Sequence, residues 1–379
     1  MTSVPPDWAL LTTCIASDFV QQLFDCNVAG NQQSILPPLT LDVPTMLACR
    51  QLARVLADAY SNPIQLDLDM IWYNEALDKC SNGRIAKHEE ALLQKFPHGS
   101  ERLLEKPSVI LDSAGRIILW YLPDAISPWI QAEMEEATVG MGSLLKKSMT
   151  SGAETKWRTF SGNFHNSDRH RLTPGCINLA PCWFQQGREP YGFPLSDGFS
   201  PEVSATLKGE GGPEVIISMQ HSALLASAAL WVMHPKLYWA SVTTQIKLAR
   251  WAVAHGLSDM CTRLQFWASV FNCAAVICNR QCPLHRDPRF TPEGFDVMTS
   301  VGHYCNGLMT LSNLGIQLQY NLGAIVGCSG HIVRHGVTYT GDCIVWAWFM
   351  HDSLHNFMGT PRPSYGTYMD VDWDVSVSA

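Results

Sequence analysis

The segment Pro283-Leu284-His285-Arg286-Asp287 sets an imidazole and a carboxylate two residues apart. In an extended chain residues i and i+2 point to one face, so His285 and Asp287 can grip one metal ion while Arg286 points away. A second histidine from a later strand would complete a set of two imidazoles and one carboxylate, which leaves three positions open on a non-haem iron. His331 and His335 both stand downstream at a suitable distance, and spacing does not choose between them. A rival arrangement, Cys278, Cys282 and His285 with Cys305 or Cys328, has part of the spacing of a structural zinc site but lacks a second close Cys or His pair. The bland alternative is a surface turn with ordinary hydrogen-bonded histidines. No Walker loop, dinucleotide fingerprint, nucleophile elbow or His-Glu-x-x-His motif is present.

Such ligands need a sheet to hold them. From Gln265 to Trp348 the chain runs through short β-rich stretches: Phe266–Asn279, Phe295–Val301, Leu308–Leu311, Gly315–Tyr320, Ala324–Cys328, His331–Arg334 and Cys343–Trp348. That succession predicts a barrel or sandwich. Ser108 to Tyr121 alternates about an Asp112-to-Gly115 turn and predicts a hairpin. Helical periodicity marks three stretches between Pro44 and Phe96, another at Ile126–Met149, and two or three helices between Glu202 and Leu264. Trp157 to His170 is polar and His-rich, and it reads as a long loop of the kind that carries function.

The chain has 379 residues, 46% hydrophobic and 16% charged, which suits a packed globular protein and excludes disorder and coiled coil. The longest apolar run, Ala223 to Met233, is too short to cross a membrane, so no membrane association is expected. Thirteen cysteines cannot all pair, and Met1 to Phe19 lacks a secretory pattern; the thiols are read as reduced and the protein as intracellular. The net charge of −8 argues against a nucleic-acid coat, but it is uneven: residues 1–150 carry −7 and residues 151–379 only −1. A local basic surface around a site in the second part is therefore permitted.

Taken together, Phe271 to Asp287 (FNCAAVICNRQCPLHRD), Gly323-Ala-Ile-Val, Arg334-His335 and Gly341 to Asn356 (GDCIVWAWFMHDSLHN) resemble the TET/JBP family of Fe(II)- and 2-oxoglutarate-dependent dioxygenases. Its fungal branch, associated with transposable elements, is the nearest in pattern, and Pro174 to Gln186 (PGCINLAPCWFQQ) and the hairpin also look like that branch. The resemblance implies an α+β fold, a double-stranded β-helix (jelly-roll) core with helices packed outside. With the helical periodicity, this gives a helical section at 1–105 packed on the core and a dioxygenase domain at 106–379 with a helical insertion at about 202–264. The resemblance also implies Fe(II) held by His285, Asp287 and His335, with 2-oxoglutarate and O2 as cosubstrates.

The expected reaction is oxidation of the methyl group of 5-methylcytosine in duplex DNA to hydroxymethyl, formyl and carboxyl forms, with N6-methyladenine a further substrate. A methyl group inside a stacked duplex is reached by flipping the nucleotide into the pocket. Phe349 and His351 match the family positions that stack on and contact that base. Arg158 and Asn306 fall near family positions that touch the cosubstrate. Cys343 stands where the family has the arginine that pairs with the distal carboxylate of 2-oxoglutarate, and a thiol cannot replace a guanidinium. This departure raises a second reading, a catalytically impaired protein that binds modified DNA. A monomer in the nucleus is expected from the substrate.

Overall fold

The computed structural model describes residues 4–31, 35–78, 85–95, 101–151, 157–185, 199–209, 211–287 and 291–372. The helices are α1 (Ala9–Val28), α2 (Val43–Tyr60), α3 (Met70–Asp78), α4 (Ile85–Lys95), α5 (Pro128–Gly140), α6 (Gly142–Ser148), α7 (Ala205–Lys208), α8 (Gly212–Ser218), α9 (Gln220–Met233), α10 (Pro235–Ala254), α11 (Ser258–Phe266) and α12 (Asp352–Phe357). The strands are β1 (Pro63–Gln65), β2 (Arg102–Leu104), β3 (Ser108–Leu111), β4 (Ile117–Leu122), β5 (Gly175–Leu179), β6 (Cys273–Cys278), β7 (Cys282–His285), β8 (Asp296–Leu311), β9 (Ile316–Gln319), β10 (Ile325–Cys328) and β11 (His335–Phe349). This is the expected α+β architecture, with all eleven strands in one sheet.

Two long antiparallel strands, β8 and β11, form the spine of the sheet. The first half of β8 pairs with β10, and its second half with β9. The first half of β11 pairs with β7, and its second half with β6. One part of the sheet is therefore β7, β11, β8, β9 and β2, and the other is β5, β6, β11, β8, β10, β4, β3 and β1. Between the halves the pairing slips at Thr338 to Thr340. There Gly302 and Gly341 take φ of +117° and +109°, and a Cβ on either would meet the opposite strand's carbonyl at 2.5 Å. Only glycine allows the two strands to bend together so closely.

The bend makes the two parts face each other. A buried cluster between them draws Ile118 and Tyr121 from β4, Met309 and Leu311 from β8, Leu318 from β9, Val326 from β10, and Val337, Tyr339 and Cys343 from β11. The opposite face of the larger part, with Val109, Trp120, Val297, Ile344, Trp346 and Trp348, packs on the helices. Both faces are buried, so β4 reads as the unbroken apolar run Ile117-Ile-Leu-Trp-Tyr-Leu122. This is the folded-over sheet of a double-stranded β-helix with helices outside.

Several local expectations need correction. The section read as helical before residue 105 also supplies β1 and β2, which pair in parallel with β3 and β9. The helix expected at Ile126–Met149 breaks into α5 and α6 at Met141, and the 202–264 stretch holds helices α7 to α10 and most of α11. His331–Arg334 is a turn, because Ile332 and Val333 bond back to the Ser329 carbonyl instead of joining a ladder. The expected helix ends at Cys80 and Phe96 lie outside the described residues. No single described helix is long and apolar enough to cross a membrane; α8 and α9 reach that length together, but they are bent by 54° and α9 is nearly all buried. Twelve described cysteines are free thiols.

His234, at the α9–α10 junction, caps α10 by accepting a hydrogen bond from the Leu237 amide at 3.3 Å, and it is 1% exposed. Burial drives its pKa down to about 4. Between there and the unfolded value near 6.5 the unfolded chain binds the proton and the folded chain does not, so stability is lost as pH falls through that window. His234→Asn keeps a capping acceptor without the titration. From pH 7 to pH 5 the wild type is expected to lose about 2 kcal/mol relative to this variant in denaturant unfolding. Parallel curves would show that His234 is not the titrating group.

Candidate metal centre

The register of β7 against β11 places His285 directly opposite His335. Asp287 follows β7, and its amide donates to the Gly330 carbonyl at 2.8 Å, which fixes the carboxylate beside both rings. Gly330 permits that approach: a Cβ there would lie 2.7 Å from an Asp296 oxygen and 3.3 Å from an Asp287 oxygen. One ligand atom from each of His285, Asp287 and His335 lies within 4.8 Å of the others. His285 Nε2 is 3.9 Å from Asp287 Oδ2, and the two imidazole centroids are 4.3 Å apart.

The protonation of this group is set by its surroundings. His285 Nδ1 meets the Pro283 carbonyl at 2.8 Å, and His335 Nδ1 meets the Val333 carbonyl at 3.0 Å. A carbonyl only accepts, so each Nδ1 carries the hydrogen and each Nε2 presents a bare lone pair. Burial, reinforced by the neighbouring His335, holds the His285 pKa far below the usual imidazole range and keeps the ring neutral. Two imidazoles whose Nδ1 atoms are held by carbonyls, with one carboxylate beside them, fit a divalent iron and leave room for further ligands.

This is the only such group among the described residues. His331 is buried in the turn before β11 and is not part of it. Cys278, Cys305 and Cys328 do not gather with Cys282 and His285, so the zinc arrangement is not formed among the described residues.

A loop covers the group. Asp342 on β11, 1% exposed, accepts hydrogen bonds from Ser167 Oγ, the Arg169 amide and Asn279 Nδ2, fastening the Trp157–Leu172 segment to the sheet. Within it, the Trp157 ring lies 4.4 Å from the His285 ring, and Arg158 is ion-paired with Asp287. Arg158 thus touches the metal-ligand set directly. Asn306 stands apart as an exposed residue with φ +54° in the β8 bulge. Cys343 is buried at 2% exposure on the inward face of β11. Further along that face Ala347 leads to Phe349, which packs with Ala180, Cys273 and Ala275. Phe349 meets His351 edge-on at 5.3 Å, with Trp183 at 6.3 Å from His351.

Sequence reasoning missed Glu89. This α4 carboxylate is 2% exposed, accepts from the Tyr73 hydroxyl at 2.6 Å, and lies 3.5 Å from Arg286 Nε and 4.0 Å from Arg334 Nε. Arg286 sits between the first two ligands and Arg334 immediately precedes the third, so one carboxylate ties both ligand-bearing segments together. A charged residue on an amphipathic helix carries no signal of that role until the fold is known.

Residues 205–349 match the family described as Tet_JBP, the oxygenase domain of the 2OGFeDO superfamily, a span somewhat under half of the chain that includes the whole His-Asp-His group. None of the curated proteins compared matches the chain. Among solved structures it is similar to NgTET1 in complex with 5mC DNA, with 12% identity and a TM-score of 0.45 over 80% of this chain and 98% of that chain. Over residues 205–349, the chain is thus similar to the Tet_JBP oxygenase domain of the 2OGFeDO superfamily.

Proposed function

We propose that this protein is an Fe(II)- and 2-oxoglutarate-dependent dioxygenase that oxidises the methyl group of 5-methylcytosine in DNA. The observation that carries the reading is the pre-oriented His285, Asp287 and His335 group inside an oxygenase domain of this family. Iron, when bound, supplies the oxidising chemistry together with 2-oxoglutarate and dioxygen. The residues around it have separable tasks. His285 and His335 offer Nε2 because their Nδ1 protons are committed to carbonyls. Trp157 shields the His285 side from water. Arg158 neutralises Asp287 until the metal takes that carboxylate. Phe349 gives a flipped base a ring to stack on, and His351 contacts its polar edge. The substrate of this reading places a monomer in the nucleus, with the product series extending to formyl and carboxyl forms and N6-methyladenine as a second substrate.

Phe349→Ala tests the base pocket. Loss of one stacking partner costs about 1–3 kcal/mol, so oxidation of methylated duplex is expected to fall about 5- to 150-fold. Succinate formed without DNA should be unaffected. An equal fall in both would place Phe349 in the core and outside the substrate site. The second reading, a protein that binds modified DNA without turning it over, is favoured by Cys343, which puts no cation where the family holds the cosubstrate's distal carboxylate.

A further inference from the structure

Arg280 lies in the link between β6 and β7, five residues before His285, and is 8% exposed. A guanidinium withdrawn from water is costly unless an anion meets it. Yet Arg280 has no ion pair among the described residues. Its terminal nitrogens reach the Arg158 carbonyl at 3.2 Å, the Cys176 sulfur at 3.4 Å and the Cys282 sulfur at 3.9 Å, and its Nε is buried without a partner. Asp287 acts on it electrostatically, but lies beyond ion-pair distance and is itself paired with Arg158.

The position of this cation is specific. Its neighbour Asn279 is joined to Cys343 in both directions: the Asn279 amide donates to the Cys343 carbonyl at 2.8 Å, and the Cys343 amide donates to Asn279 Oδ1 at 3.0 Å. Arg280 is therefore one residue away, across the sheet register, from the position that lacks a cation. It is also near the metal group: its guanidinium lies 4.9 Å from the Trp157 ring, whose other neighbour is the His285 ring at 4.4 Å. A second orphaned donor is close by. The Tyr339 hydroxyl is buried without a partner, and Arg280 and Cys343 both act electrostatically on it. A buried guanidinium with an unbonded Nε and no ion pair, next to a buried hydroxyl with no partner and close to a metal-ligand set, fits a carboxylate ligand.

We propose that Arg280 and the Tyr339 hydroxyl hold the 2-oxoglutarate carboxylate remote from the metal, so that the cation missing at Cys343 is supplied from the neighbouring strand link. This assignment rests on the dioxygenase reading, and it gives the distal carboxylate to a cation that has no carboxylate partner, whereas Arg158 is paired with Asp287.

The test is anaerobic calorimetric titration of the Mn(II)-loaded protein with 2-oxoglutarate and with pyruvate, which has the same 2-keto acid head and no second carboxylate. Wild type should bind 2-oxoglutarate at least tenfold more tightly than pyruvate. Arg280→Gln should weaken 2-oxoglutarate about 10- to 100-fold, the worth of a charge-assisted hydrogen bond, and leave pyruvate unchanged. Equal weakening of both acids, or of neither, overturns the assignment while the dioxygenase reading stands. If wild type binds neither acid, the dioxygenase reading itself fails. Should Arg280→Gln not fold, Tyr339→Phe removes only an unbonded hydroxyl and carries the same comparison, with an expected weakening of about 2- to 10-fold for 2-oxoglutarate alone. No selective change in that variant would also overturn the assignment.

Discussion

Asp287→Ala is expected to abolish tight metal binding and to reduce turnover at least a thousandfold, a loss of about 4 kcal/mol in transition-state free energy. The reason is the division of labour among the ligands. An imidazole brings no negative charge to a metal, so Asp287 supplies the only one in the set that a divalent cation can use. Removing it also leaves Arg158 without its ion-pair partner at the mouth of the site, adding a repulsive charge where the metal would sit. Asp287→Asn keeps the shape and the Gly330 backbone contact but not the charge, so it should bind metal almost as poorly as alanine. Isothermal titration with Mn(II), alongside thermal unfolding to show an intact fold, checks this. Retained affinity in either variant would mean that the three residues do not form a metal site.

The second large effect is expected at a distance, from Glu89→Gln. Glu89 is buried against Arg286, whose side chain is only 8% exposed. Breaking a buried pair by neutralising one partner costs about 3–5 kcal/mol, because the other charge stays behind in low dielectric. Here the stranded guanidiniums flank all three ligands in sequence, so the loss should also reach the metal: about 10- to 100-fold in affinity, the usual effect of disturbing residues that orient a ligand shell. Mn(II) titration at a temperature where the variant remains folded separates the two effects. If stability falls and metal affinity does not, Glu89 is a strut for α4 and has no part in orienting the site.

How much of this was readable in the sequence follows from what each feature depends on. The hairpin of β3 and β4 was legible because Asp112 to Gly115 is a local turn between β-branched runs. The His285 and Asp287 pair was legible because a separation of two has one geometric meaning in a strand. The choice of His335 over His331 was left open by spacing; it depends on the pairing of β11 with β7, a contact across some fifty residues. The long strand β8 read as two short runs, and β11 only as Cys343–Trp348, because the bend places glycines and exposed residues in mid-strand, Gly302, Cys305 and Asn306 in β8 and Gly336 and Gly341 in β11. Arg280 and Glu89 were invisible for a different reason. A charged side chain is expected in water, and only the assembled fold shows that these two are not.

The central claim is that the His285, Asp287 and His335 group serves oxidation of a methylated base. Its most direct test is mass spectrometry of nucleosides from 5-methylcytosine duplex DNA incubated with the protein, Fe(II), ascorbate and 2-oxoglutarate, with succinate measured in the same samples and N6-methyladenine duplex in parallel. The account predicts hydroxymethylcytosine or its further oxidation products, with one succinate per oxidation step, all absent from the Asp287→Ala reaction. Methylated cytosine recovered unchanged from wild type, with metal and DNA both bound, would contradict it and identify a protein that holds modified DNA without oxidising it.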